Sequence, residues 1–174
     1  MTPSLQHLAD LEHRDRAIFH GKYRGIVTDV EDPETLGRIR AKVPFVYGDE
    51  ETSDWATPVV PFAGKDHGLF LLPEVDDLVW IEFENGNIER PLWTGCSWKK
   101  NDLPNPHDPK QRVLTSAKGL QIILDDSAST LQLKHPGGAE ITLSDSSILL
   151  KLGANKIEIS STSVSVNGGA LEVS

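Results

Sequence analysis

Acidic side chains are the residues of this sequence that come closest to catalytic chemistry. The densest acidic cluster lies within six consecutive positions and comprises Asp49, Glu50, Glu51 and Asp54. Two carboxylates can hydrolyse a glycosidic bond when they face each other across a cleft. These four residues instead share one turn-like stretch, which favours a solvated loop. A serine hydrolase would carry a Gly-x-Ser-x-Gly turn, which this sequence lacks. We therefore predict that the chain is not an enzyme.

Metal-ligating residues are sparse and scattered. Three histidines near the N-terminus are six and seven residues apart, with no supporting carboxylate pattern: His7, His13 and His20. The single cysteine, Cys96, has no second thiol for a disulfide or a thiol-rich metal site. Glycine-rich phosphate loops are also absent from the sequence. The sequence predicts neither a metal site nor a cofactor.

Nucleic-acid binding would need aromatic side chains and positive charge together. Four tryptophans could stack on bases: Trp55, Trp80, Trp93 and Trp98. The chain, however, has a net charge of −9, and a phosphate-binding surface is normally basic. Packing in a core or at a subunit contact is therefore the favoured interpretation, and no nucleic-acid partner is expected. A barrel that binds single-stranded nucleic acid or carbohydrate stays as the alternative function.

The N-terminal residues 1–20 are predicted to form an arm or short helix. Their apolar residues recur at roughly helical spacing: Leu5, Leu8, Leu11 and Ile18. The segment has neither a basic start nor an apolar core, so no signal peptide is expected and synthesis in the cytoplasm is predicted.

Residues 21–95 contain short strand-like runs separated by turns. Residues 36–45 alternate between apolar and basic side chains, the period-two pattern of a half-buried strand. Similar runs cover 23–30, 55–62, 78–84 and 88–95. Five short antiparallel strands in so few residues predict a small closed barrel of the OB type. Residues 96–111 carry three prolines in a short stretch and are predicted to be an extended linker.

Residues 112–174 differ in kind from the rest of the chain. They contain none of the 11 aromatic residues and repeat one small unit seven times: aliphatic, polar, aliphatic. The units begin at Leu120, Leu131, Ile141, Leu150, Ile157, Val164 and Leu171, and turn residues separate them. Each unit predicts a short strand with two side chains inward and one outward.

A meander of such strands has one apolar face and nothing within a single chain to bury it. Three chains wound about one axis would bury these faces together, and the narrow interior would exclude aromatics. We therefore predict an all-β trimer, in which an OB-type barrel precedes an intertwined triple-stranded β-helix, or β-prism. The predicted trimer core comprises Leu120, Ile122, Leu131, Leu133, Ile141, Leu143, Leu150, Leu152, Ile157, Ile159, Val164, Val166, Leu171 and Val173. An ordinary β-sandwich with polar turns is the alternative fold.

The order of barrel, proline linker and thin prism resembles the central spikes of contractile tails. This family includes phage baseplate assembly protein V, the VgrG spikes of type VI secretion and the spikes of extracellular contractile injection systems. The resemblance is carried by Tyr23–Val27, Asp32-Pro33, Leu36–Ile39, Trp55–Pro58, Ala63-Gly64, Gly68, Pro73, Val79–Glu84, Gly86 and Pro91.

The resemblance implies a structural spike that pierces a target envelope when a sheath contracts. It also implies a baseplate hub at the tail-tube end, a tip protein of the PAAR type, transient contact with the target membrane, and assembly into a phage-tail-like particle. Some spikes insert a lysozyme domain where only the linker stands here. Others end in a His-x-His pair that binds iron, whereas the last histidine here is His135. A blunt end that docks a separate cap is therefore expected at Leu171, Glu172, Val173 and Ser174.

Overall fold

The computed structural model describes residues 18–173, with side chains through Leu171. The chain forms two compact units that divide between Asn101 and Asp102. Most of the expected N-terminal arm, residues 1–17, lies outside the described residues, and so does Ser174. No described helix is long and apolar enough to span a membrane.

The described part of the first unit contains seven strands, one short α-helix and a 3-10 turn at Glu84–Gly86. The strands are β1 (Tyr23–Asp29), β2 (Arg40–Lys42), β3 (Thr57–Pro58), β4 (Ala63–Gly64), β5 (His67–Gly68), β6 (Leu78–Phe83) and β7 (Pro91–Ser97), and helix α1 (Pro44–Tyr47) follows β2. Five of them form one sheet in the order β2-β1-β6-β7-β3, and β4 pairs with β5 as a separate hairpin. A bridge between Ile39 and Ala56 joins the two ends of this sheet, so that it closes into a barrel.

The barrel encloses its own hydrophobic core. Alternate residues of β6 point inward, which is the period-two arrangement expected of a strand with one buried face. The core consists of Val27, Ile39, Ala41, Val43, Ala56, Val79, Ile81, Phe83 and Trp93, each no more than 6% exposed. The unit therefore forms a buried core within one chain.

Two of the expected barrel strands are shorter than the sequence indicated. The run at 36–45 reduces to β2, because Asp32 binds the backbone amides of the preceding loop and Pro44 begins α1. The run at 55–62 reduces to β3, because Pro58 and Pro61 have no backbone donor for a longer ladder. β3 also pairs with β7 in parallel rather than antiparallel, since it enters the sheet from the far side of the barrel.

The second unit is one antiparallel sheet of eight strands. They follow one another in chain order: β8 (Gln111–Thr115), β9 (Gln121–Asp125), β10 (Thr130–Lys134), β11 (Ala139–Leu143), β12 (Ser147–Leu152), β13 (Asn155–Ser160), β14 (Val164–Val166) and β15 (Leu171–Val173). Every strand pairs with its neighbour in the sequence, so that the sheet is a continuous meander. The turns use residues suited to positive φ, such as Gly138 between β10 and β11 (φ 88°). The fold is all-β, as predicted.

Candidate functional site

The second sheet carries two uninterrupted rows of side chains on one face. The first row, ladder 1, crosses all eight strands in register: Leu114, Ile122, Leu133, Ile141, Leu150, Ile157, Val166 and Leu171. The second row, ladder 2, crosses the same strands in register: Arg112, Leu124, Leu131, Leu143, Ile148, Ile159, Val164 and Val173. Residues two apart along a strand point to the same side of a sheet, so the two ladders form one surface. We call this surface the aliphatic face.

The aliphatic face is exposed in the single chain. Its large apolar side chains retain between 36% (Leu131) and 62% (Leu171) of their accessible surface, except for Val166, which is half-buried, and Val173, whose side chain lies outside the described residues. A contiguous apolar surface of this extent marks an interaction site in a water-soluble fold. In contrast to the barrel, this unit has one buried hydrophobic residue among those described, Ile123, which lies on the other face.

The other face of the sheet is polar and internally bonded. Gln111 Nε2 donates to Asp125 Oδ2 (2.6 Å), and Thr142 Oγ1 donates to Glu140 Oε1 (2.9 Å). The Ser127 hydroxyl and the Gln111 amide both donate to Asp125 and lower its pKa to about 2. Several polar groups of this face are paired within the chain, although Gln111 Oε1 is buried without a partner. The aliphatic face has no such pairing and is the side that needs a protein partner.

The structure brings the sequence-predicted trimer-core residues together on the aliphatic face. Leu120 and Leu152 lie one strand position beyond the ladders, on the same side, with exposed fractions of 47% and 60%. Val173 occupies its ladder position by register, and its side chain lies outside the described residues. Sequence reasoning missed Leu114, Leu124 and Ile148, because it took each repeat as three residues. The signal was available, since Leu124 and Ile148 each extend a repeat unit by two positions.

Three of the four expected tip-docking residues, Leu171, Glu172 and Val173, lie on the last strand, β15. Leu171 is 62% exposed, whereas the side chains of Glu172 and Val173 and the whole of Ser174 lie outside the described residues. β15 pairs with β14 along one edge, and within the described chain its other edge has no strand beside it.

Residues that suggested enzymatic or metal chemistry do not assemble into a site in the described part of the chain. The acidic cluster at 49–54 is exposed around the buried Ser53, whose hydroxyl accepts a hydrogen bond from the Ala41 amide (3.1 Å). Residues 18–173 contain no group of three or more histidine, cysteine, aspartate or glutamate side chains able to hold a metal ion. Cys96 is a free cysteine at the surface. Partial desolvation of its sulfur, together with the nearby negative charge of Asp77, raises the pKa of the thiol.

The tryptophans divide between the core and the surface. Trp93 is buried and donates from Nε1 to the Gly37 carbonyl (3.1 Å). Trp55 lies under Arg40 at 5.3 Å, and Trp80 lies under Arg24 at 5.5 Å. Trp98 is 66% exposed.

Comparison with known families accounts for both units. Residues 23–98 match the injector OB domain of type VI secretion systems and phage baseplates. Residues 111–172 match the C-terminal trimerisation domain of phage baseplate V. The two matches occur in the order of the two units and together span well over half of the chain. Both are structural domains of a baseplate or spike, and neither is an enzyme family.

A curated relative supports the same assignment. The chain is 27% identical over 82 residues to the actin cross-linking toxin VgrG1 of Vibrio cholerae serotype O1. The match covers 45% of this chain and 8% of that relative. The chain therefore spans a small part of the relative's length.

Proposed function

Because the chain belongs to the family of phage-baseplate and type VI secretion injector spikes, we propose that it is the central spike of a contractile injection apparatus. In this proposal three copies join through their aliphatic faces into a β-prism, and the prism is the part that enters the target envelope. The role is mechanical, and it requires no catalytic group.

The observation that carries the proposal is the pair of ladders. Fifteen of their sixteen positions are aliphatic, the exception being Arg112. Three such faces turned toward a common axis would remove both ladders from water, and each fully buried aliphatic side chain contributes roughly 1.5–3 kcal/mol. The trimerisation match supports three as the number of chains.

The ends of the prism are proposed to carry different partners. The open edge of β15 and the aliphatic Leu171 would receive a tip protein of the PAAR type, together with Glu172, Val173 and Ser174. The barrels would join the baseplate hub at the end of the tail tube. The assembled spike would then belong to a tail-like particle and touch the target membrane only during injection.

Sedimentation of the purified full chain tests this proposal. Sedimentation equilibrium should give three times the chain mass at micromolar concentration and no dependence on moderate salt, because an aliphatic interface is not screened. A compact monomer under these conditions would overturn the proposed spike.

The alternative function is a barrel that binds single-stranded nucleic acid or carbohydrate. The observation in its favour is a shallow depression of about 520 Å³ on the barrel, lined by Lys22, Tyr23, Arg24, Pro44, Phe45 and Trp80. A gel-shift titration with oligonucleotides at two salt concentrations separates the two functions. The spike predicts no shift, whereas phosphate binding predicts a shift that weakens steeply with salt.

A further inference from the structure

The barrel carries a second exposed apolar surface that its own core does not use. Residues 59–71, which we call the apolar hairpin, leave β3, fold back through β4 and β5, and return toward β6. Five of their large apolar side chains are 40–74% exposed: Val59, Phe62, Leu69, Phe70 and Leu71. The Leu69 amide donates to the Phe62 carbonyl (3.2 Å), and the Val59 amide donates to the Trp93 carbonyl (2.9 Å). The hairpin is thus a bonded element that presents apolar side chains to solvent.

Phe70 is the most exposed residue of the apolar hairpin, at 74%. The ring lies over Gly37, where an added Cβ would come within 3.2 Å of Phe70 Cε2. Gly37 has a φ of 75°, a conformation that favours glycine. One side of the Phe70 ring therefore packs on the Gly37 backbone, where a larger side chain at position 37 would crowd it.

The depression of about 520 Å³ described above offers a complementary surface. Phe45 at its rim is 83% exposed and stacks on Tyr23, with ring centroids 5.7 Å apart. Arg24 lies over the Trp80 ring at 5.5 Å, so the depression combines aromatic walls with a cation. A phenyl ring fits such a site, because it can stack on the walls and also face a guanidinium. We call this site the aromatic depression; it shares no residue with the apolar hairpin.

We propose that the apolar hairpin of one barrel docks into the aromatic depression of the next barrel in the same trimer. The inference rests on the proposed trimer. Three identical subunits around one axis meet through head-to-tail contacts, in which each subunit offers two different surfaces. The barrel displays two such surfaces, one protruding and one recessed. In a closed ring of three barrels, each apolar hairpin docks into the aromatic depression of its neighbour.

The tether between the units makes this contact favourable. Thirteen residues separate Ser97 at the end of β7 from Gln111 at the start of β8. Trimerisation of the second unit therefore keeps three barrels close together and raises the effective concentration at which they meet. At that concentration a modest contact forms, even if separate barrels would not associate.

Paired cysteines test the contact in the full chain. The background variant is Cys96→Ser, since Cys96 is exposed and would form its own cross-links. Phe70→Cys and Phe45→Cys are combined in one chain, which is then oxidised and run on a non-reducing denaturing gel. We expect a covalent trimer on the gel. Its yield should be at least roughly tenfold higher than in a control that pairs Phe70→Cys with Glu89→Cys, which lies on the exposed loop before β7. Neither single variant should form the covalent trimer.

The outcomes are distinguishable when sedimentation of the same variants is measured beside the gel. A chain that sediments as a trimer without forming covalent trimer overturns this inference and leaves the proposed spike intact. Covalent dimers from Phe70→Cys alone would show that the apolar hairpins of two barrels contact each other. This result would also overturn the proposed docking. A monomer in sedimentation overturns both proposals.

Hydrogen exchange gives a second test that needs no cysteine. Amides of residues 62–69 should exchange at least roughly tenfold faster in an Ile157→Asp variant, which removes the trimer, than in the unmodified chain. Exchange in β6, whose bonds are made within one barrel, is the internal control and should not change. Equal exchange of the hairpin in both proteins would contradict the docking.

Discussion

At the scale of single residues, Asp32 organises the barrel loop that replaces the expected start of β2. Its Oδ2 accepts from the Leu36 amide (2.8 Å), and its Oδ1 accepts from the Glu34 amide (3.0 Å) and from Arg38 Nη2 (2.6 Å). Arg38 in turn lies over the Trp55 ring at 5.9 Å. One buried carboxylate thus fixes the path of the backbone up to Gly37, whose carbonyl receives the Trp93 indole.

Asp32→Asn should lower the thermal stability of the barrel by several degrees. The amide cannot accept as many hydrogen bonds as the carboxylate, and Arg38 would lose its charged partner. Glu34→Gln is the matched control, because Glu34 also pairs with Arg38 (3.1 Å) but is 65% exposed. Thermal melts followed by tryptophan fluorescence measure the difference. Equal melting temperatures for both variants would contradict the role of Asp32.

The Asp32 carboxylate should also make the stability of the barrel depend on pH. Arg38 above all, followed by the Glu34, Leu36 and Arg38 amides, holds the pKa of Asp32 well below its ordinary value. A lowered folded-state pKa contributes stability that is full above the unfolded value near 4 and is lost as the pH falls below it. The melting temperature should therefore drop between about pH 4 and pH 2 more steeply in the native protein than in Asp32→Asn. If the melting temperatures of the two proteins fell in parallel with pH, Asp32 would not be the group that links stability to pH.

At the scale of elements, strand β13 separates the two faces of the second sheet residue by residue. Ile157 lies in ladder 1 and is 41% exposed, whereas Glu158 lies on the polar face and pairs with Lys156 (3.1 Å). Mutations at the adjacent positions 157 and 158 therefore form a matched pair with opposite expected effects on the trimer.

Ile157→Asp should abolish the trimer, and Glu158→Gln should leave it intact. The first variant places three unpaired carboxylates against an apolar axis, and each buried charge costs several kcal/mol. The second removes one exposed ion pair, which is worth about 0–1 kcal/mol. Val164→Asp, in ladder 2, should behave like Ile157→Asp. Sedimentation velocity of the three variants is the measurement, and equal behaviour of Ile157→Asp and Glu158→Gln would disprove the assignment of the faces.

The second sheet was readable from the sequence because its signal is local. A period-two pattern between turn residues determines which side chains share a face, so the row from Ile122 to Leu171 follows from counting. The lengths of β2 and β3 could not be predicted from the sequence. They depend on the hydrogen bond between Asp32 and the Leu36 amide, and on the bridge between Ile39 and Ala56 that closes the barrel. The aromatic depression was not readable either, since it combines residues of β1, α1 and β6 that only the folded barrel brings together.

At the scale of the whole molecule, the two units depend on assembly to different degrees. The barrel buries its own core, whereas the second unit leaves both ladders exposed among its described residues. Short strands of three to six residues gain too little from one sheet face to be stable alone in water. The stability of the second unit should therefore come from association between chains. The stability of the barrel should come largely from its own hydrophobic core.

This difference predicts that the unfolding of the second unit depends on protein concentration. Tenfold dilution disfavours a trimer by about 2.8 kcal/mol, because two association steps each lose about 1.4 kcal/mol. Loss of strand signal by circular dichroism at equilibrium in guanidinium should move to lower denaturant on dilution. In Ile157→Asp the second unit should lack its cooperative transition. Tryptophan fluorescence, which comes from the first unit alone, should still report a barrel that unfolds at a concentration-independent midpoint. A strand transition of the native chain that is independent of concentration over two decades would mean that the aliphatic face is satisfied within one polypeptide.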